Sequence, residues 1–243
     1  MAKTAAMDKI IIALDVEKLD DALKLAGLLK EHVGAFKIGK QLFTRYGPEA
    51  VRMIHECGGR VFLDLKFHDI PATVAKASRE VTRLEVFMFN IHAMGGFDMM
   101  SQAVNAVHEM AFSLNCDRPK IFAVTVLTSL GTEDLQRVGI SADVEELVMR
   151  LVRLGKDAGV DGVVASPREV SAIKKEYGND FLVVTPGIRP GSSELQDQKR
   201  TMPPGEAIRT GADYIVVGRP VTQAPDPLAV VKSIIDELET QKS

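Results

Sequence analysis

The segment Val61-Phe62-Leu63-Asp64-Leu65-Lys66-Phe67-His68-Asp69-Ile70-Pro71 sets a carboxylate and an ammonium two residues apart inside an apolar run. Residues two apart in a strand share a face, so Asp64 and Lys66 would point one way and Leu63, Leu65 and Phe67 the other. Charge at the end of a hydrophobic strand is costly unless it is paired or close to water. The run therefore ends either in a structural salt bridge or in a site, and Asp69 follows where the strand has stopped. Two more apolar runs carry charge at the same place: Lys37 lies in Ala35-Phe36-Lys37-Ile38-Gly39, and Asp15 follows Ile11-Ile12-Ala13-Leu14. One such residue could be an accident of packing. Charges at the ends of three successive runs point to a site. A second kind of chemistry sits near the other end of the chain. Tyr214-Ile215-Val216-Val217-Gly218-Arg219 ends an apolar run in Gly-Arg, and Thr185-Pro186-Gly187-Ile188-Arg189 ends another. Glycine lets a phosphate approach backbone N–H groups, and arginine supplies a forked cationic donor.

These residues need a scaffold that gathers strand ends. Eight short apolar runs recur along the chain: Lys9–Leu14, Ala35–Ile38, Arg60–Leu65, Val86–Ile91, Ile121–Leu127, Gly162–Ala165, Phe181–Thr185 and Tyr214–Val217. Continuous apolar runs of this length suit strands buried on both faces, as in parallel sheets. Segments of helical spacing lie between them. Leu19, Ala22, Leu23, Ala26 and Leu29 form one such stripe; Val144, Leu147, Val148, Leu151 and Leu154 form another, with Ser141 or Asp143 as its cap. Pro71 and Pro227 are each placed to open a helix. Strand–helix alternation over about 240 residues predicts an α/β chain, a single (β/α)8 barrel, with the site at the C-terminal ends of the strands. A doubly wound open sheet is the alternative, weakened by the lack of Gly-x-Gly-x-x-Gly after the first run. Phosphate sites of such barrels often follow strands 7 and 8, where Arg189 and Arg219 fall. The Pro- and Gly-containing stretch 187–205 is long for a connection and reads as a lid over the mouth or as a variable surface loop.

Composition narrows the partners. Of 243 residues, 46% are hydrophobic and 26% charged, and 30 Lys and Arg against 33 Asp and Glu leave a net charge of −3. A chain of this size buries roughly 70% of its surface, enough for one core over residues 1–243 with a loose start at 1–7. The acidic balance argues against a nucleic-acid partner, though not against a local phosphate pocket. No apolar run approaches a membrane span, and the start lacks the apolar stretch of a secretion signal. Cys57 and Cys116 make neither a disulfide framework nor a zinc pattern. A cytoplasmic location is expected, with both thiols inert. Met88, Met94, Met99 and Met100 read as core filling, and His68 and His92 as residues of a polar rim.

Taken together, Asp64-x-Lys66-x-x-Asp69-Ile70-Pro71-x-Thr73, Val126-Leu127-Thr128-Ser129, Thr185-Pro186-Gly187-Ile188-Arg189, Asp197-Gln198 and Val217-Gly218-Arg219-Pro220 resemble the orotidine 5′-phosphate decarboxylase family, in its bacterial branch, nearly end to end. Ala72 is a departure, since bacterial members often carry Asn there. The Asp-x-Lys-x-x-Asp core also occurs in a Mg-dependent keto-sugar-phosphate decarboxylase, and a non-catalytic UMP-binding barrel is a further alternative. The resemblance implies a cofactor-free lyase of de novo pyrimidine synthesis that converts orotidine 5′-phosphate to UMP and CO2. It implies that Asp15, Lys37 and Thr73 contact the ribose. Lys37, Asp64, Lys66 and Asp69 would form an alternating charged network in which Lys66 is the proton donor to C6. Thr128 and Pro186 would meet the pyrimidine, and Arg189, Gln198, Gly218 and Arg219 the phosphate. It also implies a homodimer in which Asp69 and Thr73 complete the partner's site.

Overall fold

In this computed structural model, residues 4–190 and 201–240 are described. Eight strands, β1 Ile10–Ala13, β2 Ala35–Gly39, β3 Val61–Phe67, β4 Met88–His92, β5 Lys120–Val124, β6 Gly162–Val164, β7 Leu182–Thr185 and β8 Tyr214–Val217, close into a barrel in sequence order. Every pairing is parallel, and β8 returns to β1 through Ile10↔Ile215, Ile11↔Val216 and Ile12↔Val217. Closure removes both sheet edges and rules out the open doubly wound sheet.

Burial on both faces explains the apolar runs. In β1, Ile11 and Ala13 belong to the barrel interior with Phe62, Met88, Phe122, Val184 and Val216. Ile10 and Ile12 face outward into the layer under the helices, with Leu29, Phe36, Ile38 and Phe89. Helices Leu19–Leu29, Pro71–Arg83, Phe97–Leu114, Val144–Asp157 and Pro227–Thr240 are part of that layer. The Val144–Asp157 helix is capped by Asp143, whose carboxylate accepts the Glu146 N–H at 2.8 Å. Pro71 and Pro227 each occupy the first position of a helix, where a missing N–H has no consequence.

Three expectations need adjustment. The start is not loose throughout: residues Ala5–Asp8 form a helical turn capped by Thr4, and Ala6 is buried. Met88, Met99 and Met100 are core, but Met94 is 44% exposed, because it sits on the 3-10 turn Ala93–Gly95 at the barrel mouth. The lower part of β3 is a regular strand, but its end is not. Its pairing with β4 runs Phe62↔Met88 and Leu63↔Phe89, then shifts to Phe67↔Ile91. Lys66, inside the shift, has φ +54°, so simple alternation fails where the charged residues stand. No described helix is long and apolar enough to cross a membrane.

Candidate active site

Each strand ends on the same rim, and the rim surrounds a cavity of about 240 Å³. Asp15 beyond β1, Lys37 in β2, Asp64 and Lys66 in β3, Thr128 beyond β5, Pro186 and Arg189 beyond β7, and Gly218 and Arg219 beyond β8 all line it. Nine residues expected at the site thus come together from the ends of six strands. Ala13, Val124, Val126, Val164, Ala165, Ile188 and Val216 supply an apolar wall.

The charges form a chain of alternating sign. Lys37 Nζ lies 3.2 Å from Asp15 Oδ1 and 3.2 Å from Asp64 Oδ2, and Lys66 Nζ lies 2.5 Å from Asp64 Oδ1. Two ammonium and two carboxylate groups cancel, which makes the array tolerable in a half-closed cavity. Lys37 is only 8% exposed. Burial pushes its ammonium pKa down, but the carboxylates of Asp64 and Asp15 overcome that and hold it above the ordinary lysine value. Burial pushes the Asp64 carboxyl up; Lys37, Lys66 and the hydrogen bond from Asn90 outweigh it and bring the pKa down to about 2. Both groups are therefore charged at neutral pH.

Asp69 and Thr73 do not join this array within the chain. Both are exposed and outside the cavity lining, and Asp69 Oδ1 accepts the N–H of its neighbour Ile70 at 2.7 Å. The physical reason is that β3 ends at Phe67, so Asp69 lies past the strand, on the short connection to the Pro71–Arg83 helix. The charged chain ends on Asp15 instead, a residue expected only to meet the ribose. Gln198 and Asp197 lie outside the described residues. At the base of that segment, Met202 N–H donates to the Gly187 carbonyl at 3.3 Å and Arg189 N–H to the Met202 carbonyl at 3.0 Å, so both ends of the long connection meet at the rim.

Sequence reasoning missed Asn90. It is 1% exposed, its Nδ2 donates to Asp64 Oδ1 at 2.7 Å, and its Oδ1 accepts the Lys66 N–H at 2.8 Å. The signal was present: Asn90 is the one polar residue inside the run Val86–Ile91, and a buried amide in an apolar strand must have partners. His68 and His92 stack at 5.2 Å between centroids just outside the cavity. Burial, then the charges of His68, Lys66 and Lys40, push the His92 pKa down to about 4.

A larger recess of about 880 Å³ opens at the opposite end of the barrel, lined by Arg60, Phe87, Arg118 and Lys120 among others. Two of its three cations are committed to structure. Arg60 bonds the Gly34 carbonyl and Asp8, and Arg118 bonds Asp161. In this fold, that face carries stability and the C-terminal face carries chemistry.

The molecule is thus a (β/α)8 barrel with a charged cavity built from the C-terminal ends of its strands. Its relatives make the assignment narrower. The model of the orotidine 5′-phosphate decarboxylase / HUMPS family matches residues 8–234, and the chain belongs to that family. An orotidine 5′-phosphate decarboxylase of Geotalea uraniireducens is 53% identical over 238 residues, 98% of each chain. One of Moorella thermoacetica is 54% identical over 243 residues, 100% of this chain and 96% of its own. Among solved structures, an orotidine 5′-phosphate decarboxylase of Lactobacillus acidophilus is similar with a TM-score of 0.82 and 34% identity, covering 94% of this chain and 98% of that one.

Proposed function

We propose that this chain is a carbon–carbon lyase that converts orotidine 5′-phosphate to UMP and CO2 in de novo pyrimidine synthesis, in the cytoplasm. The observation that carries the reading is the alternating chain Asp15–Lys37–Asp64–Lys66 in a cavity that Arg189 and Arg219 also line.

The residues divide by chemistry. Arg189, Arg219 and the Gly218 backbone are suited to the phosphate, with Gln198 as a further contact. Asp15 and Lys37 are suited to the ribose hydroxyls, and Thr128 and Pro186 to the pyrimidine. The reacting carbon then faces Lys66 and Asp64. The C6–carboxylate bond breaks, its electron pair stays on C6, and CO2 leaves. The Lys66 ammonium opposes the developing negative charge and then gives its proton to C6. Asp64 beside the substrate carboxylate contributes repulsion of about 4 kcal/mol for unit charges 4 Å apart at an effective dielectric near 20. That repulsion disappears as neutral CO2 forms, whereas the attraction of Lys66 for C6 grows. Binding energy from the remote phosphate can be used at the reacting carbon.

In the same reading the protein is a homodimer, and Asp69 and Thr73 serve the partner's cavity. Their position outside their own cavity supports this. So does the apolar surface beside them, with Ile70 67%, Met94 44% and Phe97 44% exposed. The His68–His92 stack ties the connection after β3 to the one after β4, which places these residues on one face.

An orotidylate turnover assay, followed by absorbance with and without a chelator, tests the reaction. Turnover unaffected by the chelator is expected. Orotidylate left unchanged would end the proposal, and chelator-sensitive turnover of a keto-sugar phosphate would replace it.

A further inference from the structure

The strand that carries Lys66 and Asp64 is irregular where they stand, and one side chain closes the irregularity. Between the pairings Leu63↔Phe89 and Phe67↔Ile91, β3 has Asp64, Leu65 and Lys66 where β4 has only Asn90. The ladder cannot pair three residues with one. Lys66 adopts φ +54°, a left-handed conformation that residues with a side chain rarely hold unless their surroundings impose it. The Asn90 amide supplies what the ladder lacks, accepting the Lys66 N–H at 2.8 Å and donating to Asp64 Oδ1 at 2.7 Å. Its own backbone is firm. The β4–β5 pairing is regular through Asn90↔Phe122, from Met88↔Lys120 to His92↔Val124.

We infer that Asn90 is a positioning residue for the proton-transfer step: it holds the Lys66 backbone in its left-handed turn and fixes the Asp64 oxygen that receives the Lys66 ammonium. This inference rests on the reading of Lys66 as the proton donor. The side-chain type is dictated by the two partners. One is a backbone donor and needs an acceptor; the other is a carboxylate and needs a donor. An amide offers one of each at this reach. Leucine would leave a buried N–H unpaired and the carboxylate short of a donor. An ionised aspartate would set a second carboxylate against Asp64. A protonated aspartate would reproduce the amide, with its carbonyl oxygen toward Lys66 N–H and its O–H toward Asp64.

The test compares Asn90→Leu, Asn90→Asp and Lys66→Ala with the native protein. It measures kcat and KM for orotidylate, Kd for UMP, and urea stability. For Asn90→Leu we expect kcat to fall on the order of 10²-fold, the scale of a misplacement near 1 Å. KM and the UMP Kd should stay within about threefold, because Arg189 and Arg219 follow other strands, β7 and β8. For Asn90→Asp the introduced carboxyl would face Asp64, with the Lys66 and Lys37 ammonium groups beyond it. Its kcat relative to native at each pH should be low at pH 8 and rise at least about tenfold by pH 6, as the protonated form returns. Asn90→Leu with kcat within about threefold of native overturns the inference, as does equal loss in kcat and in UMP binding. If Asn90→Leu does not fold, Asn90→Asp decides alone, and a flat ratio between pH 6 and pH 8 overturns the inference. Lys66→Ala separates the two levels. Turnover retained in that variant removes the proton donor itself, whereas loss there with an unaffected Asn90→Leu removes only the role of Asn90.

Discussion

Replacing Asp64 by asparagine removes one charge and almost no volume, and the structure sets the size of the effect. The Asp64 carboxyl is lowered from 3.8 to about 2, which corresponds to about 2 kcal/mol of stability favouring the ionised form. That figure compares the charge with a proton. An amide does worse. Asp64 receives three donors: Lys37 on Oδ2, and Lys66 and Asn90 on Oδ1. Asparagine has one oxygen, so an NH2 group must face at least one ammonium. Removing one partner of a buried ion pair costs about 3–5 kcal/mol. The cavity mouth admits water and the Lys66 side chain is 27% exposed, so we expect a loss near 3 kcal/mol, at the lower end of that range. Urea unfolding at pH 7 and fixed protein concentration reads it as a lower midpoint at unchanged slope. The pH dependence has a definite sign. A depressed carboxyl pKa contributes fully above its unfolded value of 3.8 and loses that contribution as pH falls through about 2. The gap between native and variant should therefore be the same at pH 7 and pH 5. A variant as stable as the native protein would refute the reasoning, and a gap that closes by pH 5 would assign the effect to another group.

Lys66→Ala should abolish turnover while UMP binding stays measurable; normal turnover would dismiss the proton-donor role. Arg219→Ala should mainly raise KM for the phosphorylated substrate, and an equal loss on a substrate without phosphate would count against that contact. Mixing Lys66→Ala with Asp69→Ala chains should restore part of the activity each lacks alone, since mixed dimers contain one intact cavity; no recovery would contradict a shared site. The pKa of His92 is lowered from 6.5 to about 4, so the unfolded chain binds more protons between those values and stability falls as pH drops through that window. His92→Gln should flatten that slope in urea midpoints measured at pH 7 and pH 5, and an unchanged slope would show that His92 is not its source.

Much of this molecule is written locally. The eight apolar runs are strands because residues such as Ile10–Ala13 are buried on both faces, and that pattern needs no partner to be read. Pro71, Pro227 and Asp143 mark helix starts through φ restriction and capping, which are equally local. The rule that barrel chemistry sits at strand ends then brings Asp15, Lys37, Asp64, Lys66, Arg189 and Arg219 to one rim before any coordinate is known. What the sequence leaves open depends on neighbours far along the chain. Alternation in β3 predicts a side for Lys66 but not its left-handed backbone, which arises only from the shifted pairing with β4 and the amide of Asn90. Lys37 reads as one charge among several. Only the assembled barrel places it between Asp15 and Asp64, where two carboxylates outweigh the burial that pushes its pKa down. Asp69, three residues beyond Lys66, reads as part of the same cluster, yet it follows the end of β3 at Phe67 and lies outside the cavity lining. Residue types and periodicity are properties of short segments, so the sequence alone determined the barrel and which strand-end charges share its rim. Charge state, backbone conformation and whether a side chain reaches the cavity are set by groups brought together from different strands, and the tertiary structure decided those.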